Sequence, residues 1–478
     1  MNGVTDISFP AVDRVAEAAR AAASTWSLSS ASTRARLLEG LAVALEEQAA
    51  SLVDLADAET GLGSGRLNGE LARTAFQLRG FATEVKNGVP FRTVDDPAVP
   101  GAPPAGRPRL TREQVPLGPV AMFSASNFPF AFSVLGGDTA SALAAGCPVI
   151  VKAHSGHAEL SRRVFALASR VVGQQGLPAG LLTFLDNTTR EANTYLVQHS
   201  EVAAVAFTGS WQGGVALWRA ANDRSRPVPF YGELGSINPL VVLPAALASG
   251  VEQPAQTLAA SIALGCGQFC TSPGVVCVFD DADGDRFVAA FAEALGKQTP
   301  HRMLTDGIWS AYRSGVERLE AHRQTTALIR GQADAQHPAP RLFEVAADAF
   351  IGDPELREEV FGPAALVVRV QSVAQAIDVL KAVHGSLTVT VWGADEDTAE
   401  NRALVHAAEQ IAGRVLFGGV PTGVAVTHAQ QHGGPWPAST APQTTSVGYA
   451  AIERFLRPVA LQDAPSWLLA VKKEVASS

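Results

Sequence analysis

Between residues 120 and 208, short apolar runs rich in β-branched residues alternate with longer helical stretches, and this alternation leaves the chain few architectures. The runs VAMFSA, PVIVKA, LLTFL and VAAVAFTG are separated by helical patterns over 134–144, 158–172 and around Ala192. Strands so short and so apolar have no polar face to offer water. They must be covered on both sides by the intervening helices, as βαβ units of a parallel sheet. A second series, NPLVVLP, GVVCVF, ALVVRV, LTVTVW and RVLFG, follows, with helices expected over 256–266, 285–295 and 373–383. The fold class is therefore α/β, with two parallel-sheet domains that meet near residues 233–240. Residues 12–86 read as helices, with Leu37, Leu38, Leu41, Leu45, Leu52 and Leu55 at helical spacing. The Pro/Gly-rich stretch 95–119 reads as an exposed connector with an edge strand near 109–114. These signals divide the chain into a first domain of residues 1–94 and 120–235, a second of 236–434, and connector segments 95–119 and 435–478.

Composition narrows the function classes. At 47% hydrophobic and 17% charged residues, the chain buries sizeable cores and is not a solvated, disordered polymer. The balance of 37 basic against 46 acidic residues, with no basic block, lacks the electrostatic footprint of a nucleic-acid partner. MNGVTDISFP has no basic segment leading into an apolar one, and no window approaches the roughly 20 apolar residues that span a bilayer. The expected location is cytoplasmic, with no membrane partner. Four cysteines are too sparse for a disulfide framework, and Cys266, Cys270 and Cys277 lie close together.

Several short segments have the makings of chemistry. GCGQFCTSPG places Cys270 in a turn framed by small residues, where backbone donors can face a reacting carbonyl, whereas Cys147, Cys266 and Cys277 suit inert burial better. YGELGSINP sets Glu233 among glycines and apolar residues, which suits a partly buried base of raised pKa. FTGSWQGG joins a strand end to a helix start: Gly209, Gly213 and Gly214 permit close backbone approach and Ser210 can cap the helix, as at an anion site. Asn127, in SASNFPFAF, is an amide that either braces its loop or donates to an oxyanion. Cys266 and Cys270 can share a helix face, but no histidine or second cysteine pair nearby in sequence completes a zinc site, so no metal is expected. A cysteine hydrolase is set aside because no histidine partner is evident near Cys270.

The order and spacing of these segments resemble the aldehyde dehydrogenase superfamily over nearly the whole chain. The resemblance is carried by NFP at 127–129, the lysine closing PVIVK, FTGS at 207–210, ELG at 233–235, GQFC at 267–270 and EEVFGP at 358–363. ETGLGSGRLNGELART, QHGGPWPAST and TTSVGYAAIERFLRPVALQ are similar to one branch, the NADP-using aldehyde and 2-oxoglutarate semialdehyde dehydrogenases. The resemblance implies Cys270 as nucleophile, Glu233 as the base that activates water, and Asn127 with the Cys270 N–H as oxyanion donors. It implies cofactor contacts from Lys152, Ser155, Arg190, Gly209, Ser210, Gly214, Glu359 and Phe361. NADP is the expected preference, with NAD also used, because Ser155 stands where NAD-preferring relatives carry a glutamate. The implied substrate-tunnel set is Arg73, Phe128, Leu135, Leu264 and His432, the last either placed to tune Cys270 or simply packed in the core. Arg73 either pairs with the far carboxylate of a semialdehyde or sits on a solvated helix face. Gly418 departs from the family pattern, which often has Asn there. A homodimer or homotetramer is implied, through segment 95–119 and a carboxy-terminal strand near 459–461. The competing readings are a coenzyme A-acylating relative, which has no need of Glu233, and a non-catalytic scaffold that kept the fold.

Overall fold

The computed structural model describes residues 9–299, 301–330 and 338–469. Residues 1–8 and 470–478, which fall in the expected first domain and carboxy-terminal segment, lie outside the described residues. Contacts divide the chain into two compact units: Met1–Gly232 with Val426–Ala429 and Thr444–Ser478, and Glu233–Ala425 with Gln430–Gln443.

In the first unit a five-stranded sheet has the order Leu182–Leu185, Val149–Lys152, Val120–Phe123, Ala204–Thr208, Phe230–Glu233. The first four strands are mutually parallel. From Val120–Phe123 the chain first builds outward on one side and then returns to add Ala204–Thr208 on the other. Ligands of open α/β sheets sit at this kind of switch point, beyond the carboxyl ends of the strands. One face is covered by helix Phe9–Trp26, whose Val12, Ala16 and Ala19 pack with Ala121, Ile150, Leu185 and Val205. Helix Trp211–Asn222 adds Leu217, Ala220 and Ala221 to the same core. A separate antiparallel sheet of Val94–Asp96, Leu110–Pro116 and Leu456–Gln462 pairs Val459 with Glu113, so the strand expected as an edge near 109–114 is instead the central one, flanked on one side by the expected carboxy-terminal strand.

The second unit has a seven-stranded sheet, Thr326–Ile329, Arg341–Ala346, Ala364–Val370, Val275–Phe279, Leu240–Val242, Ser386–Trp392, Ala412–Leu416. Every neighbouring pair is parallel except the first, an antiparallel edge. Alternate residues feed two cores: Val241, Val275 and Cys277 face one, Leu240, Val242, Val276 and Val278 the other. Burial on both faces explains why these strands are apolar without alternation.

The structure departs from the sequence reading at one place that matters. The helix expected over 256–266 is Glu252–Ala263, and the chain then kinks, with Gly265 at φ 58° and Cys266 at φ 60°. A non-glycine residue in this left-handed region costs about 1–2 kcal/mol, so packing of the buried Cys266 must hold it there. The kink turns the chain into the segment that presents Cys270. Two strands, Thr326–Ile329 and Arg341–Ala346, and helix Asp306–Ala321 also occupy residues to which the sequence reading assigned no element. Among the described residues, no helix is long and apolar enough to cross a membrane.

Candidate active site

Within the second unit, Cys270 lies in the turn that follows the kink and is partly exposed, while Cys147, Cys266 and Cys277 are buried. Desolvation pushes the Cys147 thiol up to about 11 and those of Cys266 and Cys277 up to about 12, so these three remain protonated and inert. The Cys270 turn is braced by Asn238, a fully buried residue that the sequence reading passed over. Its Nδ2 donates to the Cys270 carbonyl at 2.8 Å and the Ser272 carbonyl at 3.0 Å. Its Oδ1 accepts from the Ser236 hydroxyl at 2.8 Å and the Thr388 N–H at 3.2 Å, tying the turn to strand Ser386–Trp392. On the other side Gly267, at φ 66°, approaches the next motif so closely that a Cβ would lie 2.2 Å from the Gly362 carbonyl. The GQFC and EEVFGP segments are therefore packed backbone to backbone.

Two further side chains converge on Cys270. Glu233 ends strand Phe230–Glu233 and is 4% exposed, held by a bridge to Ser439 and by the Leu234 N–H donating to Ala438. His432 is 1% exposed, and its loop is seated tightly enough that a Cβ on Gly413 would lie 2.1 Å from the Gly433 carbonyl. The His432 Nε2 is 3.6 Å from the Cys270 Sγ and 3.0 Å from the Glu233 Oε1. A single ring nitrogen thus serves both partners: unprotonated it accepts the thiol proton, and protonated it donates to either anion. Local framing offers no histidine partner near Cys270, since His432 lies 162 residues away, and only the family resemblance points to it. That ground for setting aside a cysteine hydrolase is corrected here, since the fold supplies the histidine.

Glu359 and Phe361 are half-buried and line, with Ser236, Gly267 and Phe269, a cavity beside the Cys270 turn. Desolvation pushes the Glu359 carboxyl up to about 8, against the opposing Ser236 N–H, so near neutral pH it is mostly protonated and can both donate and accept. Its neighbour Glu358 instead pairs with Arg318 at 2.8 Å on the surface. Leu264 is 48% exposed, and a Cβ on Gly418 would meet nothing, leaving room for the Asn seen at that motif position elsewhere.

The first unit gathers its candidates along one edge of its sheet. Lys152 ends strand Val149–Lys152, whose neighbour Leu182–Leu185 leads to Arg190. Ser155 is exposed just past Lys152, and Arg190 is exposed in the first turn of helix Arg190–Gln198, so both stand beyond the carboxyl ends of adjacent strands. Burial pulls the Lys152 ammonium down, and it pulls the neighbouring His154 down to about 3, leaving Lys152 as the cation there. Gly209 and Ser210 follow strand Ala204–Thr208. Ser210 caps helix Trp211–Asn222 by accepting from the Gly213 N–H at 3.3 Å, with Gly214 buried behind it. This is an N-terminus of the kind that binds phosphate.

On the same unit Asn127 is buried in the loop after strand Val120–Phe123, and its carbonyl accepts from Arg66. The sequence reading singled out Arg73 but missed that helix Ser64–Lys86 carries Arg66, Glu70 and Arg73 at helical spacing. The Glu70 Oε1 accepts from the Phe130 and Ala131 N–H groups at 2.8 and 2.9 Å. The Arg66 guanidinium lies 5.0 Å from the Phe128 ring centre and that of Arg73 5.6 Å from Phe132. Two guanidiniums around one carboxylate leave a net positive cluster beside the Asn127 loop. Leu135 is fully buried.

The profile of the "Aldehyde dehydrogenase family" matches residues 2–434 of this chain. The alpha-ketoglutaric semialdehyde dehydrogenase 2 of Azospirillum brasilense is 46% identical over 96% of the chain and 88% of its own length. An alpha-ketoglutaric semialdehyde dehydrogenase of Acinetobacter baylyi is 39% identical over 96% and 87%. Among solved structures, aldehyde dehydrogenase 21 of Physcomitrella patens superposes with a TM-score of 0.80 at 20% identity, over 96% of this chain and 92% of that one.

Proposed function

The chain belongs to the aldehyde dehydrogenase family and oxidises an aldehyde to a carboxylate, and we propose that it does so through a thioester on Cys270. The observation that carries this reading is the convergence of Cys270, His432 and Glu233 around one ring nitrogen. A free thiol near pKa 8.5 is only a few per cent ionised at neutral pH, and an adjacent imidazole that takes its proton removes that limit. The thiolate adds to the aldehyde carbon. The Asn127 amide and the Cys270 N–H are assigned to the developing oxyanion from the family motif, a role worth roughly 3 kcal/mol per donor. Collapse with loss of the aldehyde hydrogen as hydride leaves an acyl group on Sγ, and Glu233 then takes a proton from the water that attacks it and releases the thiolate. A buried carboxylate beside Cys270 favours water over coenzyme A as the acyl acceptor and a working site over a scaffold.

The family's oxidant is NAD or NADP, which accepts the hydride when bound. Lys152, Glu359, Phe361 and the Gly209–Ser210–Gly214 turn suit this group, since a capped helix N-terminus, a lysine and a carboxyl able to donate match phosphate and ribose. Ser155 and Arg190, on neighbouring strand ends, favour NADP, because an arginine pairs with a 2'-phosphate in a charge-assisted fork. Arg190→Ala should lower kcat/KM for NADP by about 10- to 150-fold, the value of one charged hydrogen bond, and leave NAD unchanged. Equal losses with both cofactors would refute the assignment.

The substrate we infer is the semialdehyde of a 2-oxo dicarboxylic acid, in line with the names of the two relatives. The positive Arg66–Glu70–Arg73 cluster suits its carboxylate, with Phe128 beside it. Assayed side by side, 2-oxoglutarate semialdehyde should exceed both succinic semialdehyde and a medium-chain aldehyde in kcat/KM. Arg73→Met should erase this advantage through KM, by about 10- to 150-fold, without slowing the uncharged aldehyde. A variant that handles all three as the wild type does would remove Arg73 from the substrate site. Assembly into dimers or tetramers is proposed through segment 95–119 and strand Leu456–Gln462, an edge of its three-stranded sheet.

A further inference from the structure

We propose that Cys270, His432 and Glu233 together bind one borderline-soft divalent cation, zinc above all, and that the bound ion reversibly silences the enzyme. The ligand atoms of the three residues all lie within 4.8 Å of one another, and no other such group of histidine, cysteine and carboxylate side chains occurs among the described residues. Zinc bonds of about 2.3 Å to sulfur, 2.0–2.1 Å to imidazole nitrogen and 2.0–2.2 Å to oxygen define a tetrahedron. Its sulfur–nitrogen edge is about 3.6 Å and its nitrogen–oxygen edge about 3.4 Å. The corresponding separations here are 3.6 and 3.0 Å, so two edges already stand near the required lengths. Rotation of the Glu233 or Cys270 side chain closes the third.

Charge and softness select the ion. A thiolate, a carboxylate and a neutral imidazole bring two negative charges, which a divalent cation neutralises inside a site whose histidine and glutamate are almost wholly buried. Magnesium and calcium need a shell of oxygens, and this trio offers one carboxylate, one nitrogen and one sulfur, the ligand types that favour zinc. Cys270 is partly exposed, which leaves a way in and a fourth position for water. On binding, the Sγ–H proton leaves to solvent and a metal–sulfur bond takes its place. The sulfur lone pair needed to attack an aldehyde is then held by the metal, and the carboxylate needed to activate water is held with it.

The test uses the full-length protein without aldehyde or nucleotide, titrated with cobalt(II) and cadmium(II). We expect one equivalent to bind with thiolate-to-metal charge-transfer absorption, and zinc to displace it. The other three thiols are buried, so the band reports Cys270. Cys270→Ser should abolish it. His432→Gln and Glu233→Gln, checked for native circular dichroism, should each weaken binding by more than the roughly 10–100-fold typical of losing a group that merely braces a ligand. Zinc should inhibit turnover, and a chelator should restore it. Absence of the band, its survival in Cys270→Ser, undiminished affinity in His432→Gln, or full turnover with the site saturated would each overturn the proposal. Because the spectra are read without substrate, their failure leaves the dehydrogenase mechanism untouched, and failure of that mechanism leaves the spectra interpretable.

Discussion

Aldehyde oxidation by Cys270→Ala should fall by roughly 10⁴-fold or more, the scale on which removal of a covalent nucleophile acts, with dinucleotide affinity unchanged. The remaining cysteines cannot substitute, because all three are buried and burial pushes their thiols up to about 11 or 12. The nucleotide contacts proposed above come from other segments, so binding measured by fluorescence quenching should survive. Near-normal turnover in this variant would end the thioester mechanism. Native circular dichroism should accompany the loss, since replacing a partly exposed thiol by a methyl group leaves a small cavity at most.

Glu233→Gln should separate the two halves of the reaction. The amide preserves the shape of the carboxylate beside the His432 Nε2 but cannot take a proton from water. Mixed rapidly with aldehyde and dinucleotide, the variant should form reduced nicotinamide in a burst equal to the enzyme concentration. Steady-state turnover should then run about 10² to 10⁴-fold below wild type, the usual contribution of a general base. The shared ring nitrogen makes the burst rate informative in its own right. If Glu233 served chiefly to orient His432 for the thiol, the burst itself would slow by a similar factor and the steady state would show no separate deficit. A fast burst with a slow steady state assigns Glu233 to the water step. Loss of the burst with normal hydrolysis of a preformed thioester assigns it to His432 instead.

How much of this protein can be read from its residues varies by element. The parallel sheets are legible because each strand is a short apolar run between helices, and burial on both faces leaves a mark that needs no knowledge of neighbours. The individual signals at Cys270, Glu233 and Asn127 are legible through local glycine and apolar framing and through the order of motifs. Helix ends are less so: the stretch 256–266 is helical in pattern throughout, yet Gly265 and Cys266 are left-handed, because packing of Cys266 into the core of Val241, Val275 and Cys277 outweighs local propensity. Asn238 has no local signature at all, since its value lies in bonding two segments, the Cys270 turn and strand Ser386–Trp392, that are remote in sequence. The pairing of Cys270 with His432 is the same case across 162 residues. Periodicity and framing are short-range properties carried by neighbouring side chains, so the sequence by itself determined the fold class and most strands and helices, though not Asp306–Ala321, Thr326–Ile329 or Arg341–Ala346, and it singled out Cys270 as the nucleophile proposed above. The motif resemblance pointed to His432, but only the tertiary structure put its Nε2 beside the Cys270 Sγ and showed that this one nitrogen is shared with Glu233. Only the tertiary structure showed, too, that two arginines flank Glu70. Distances between residues far apart in the chain are set by how sheets and loops pack, which no local pattern encodes.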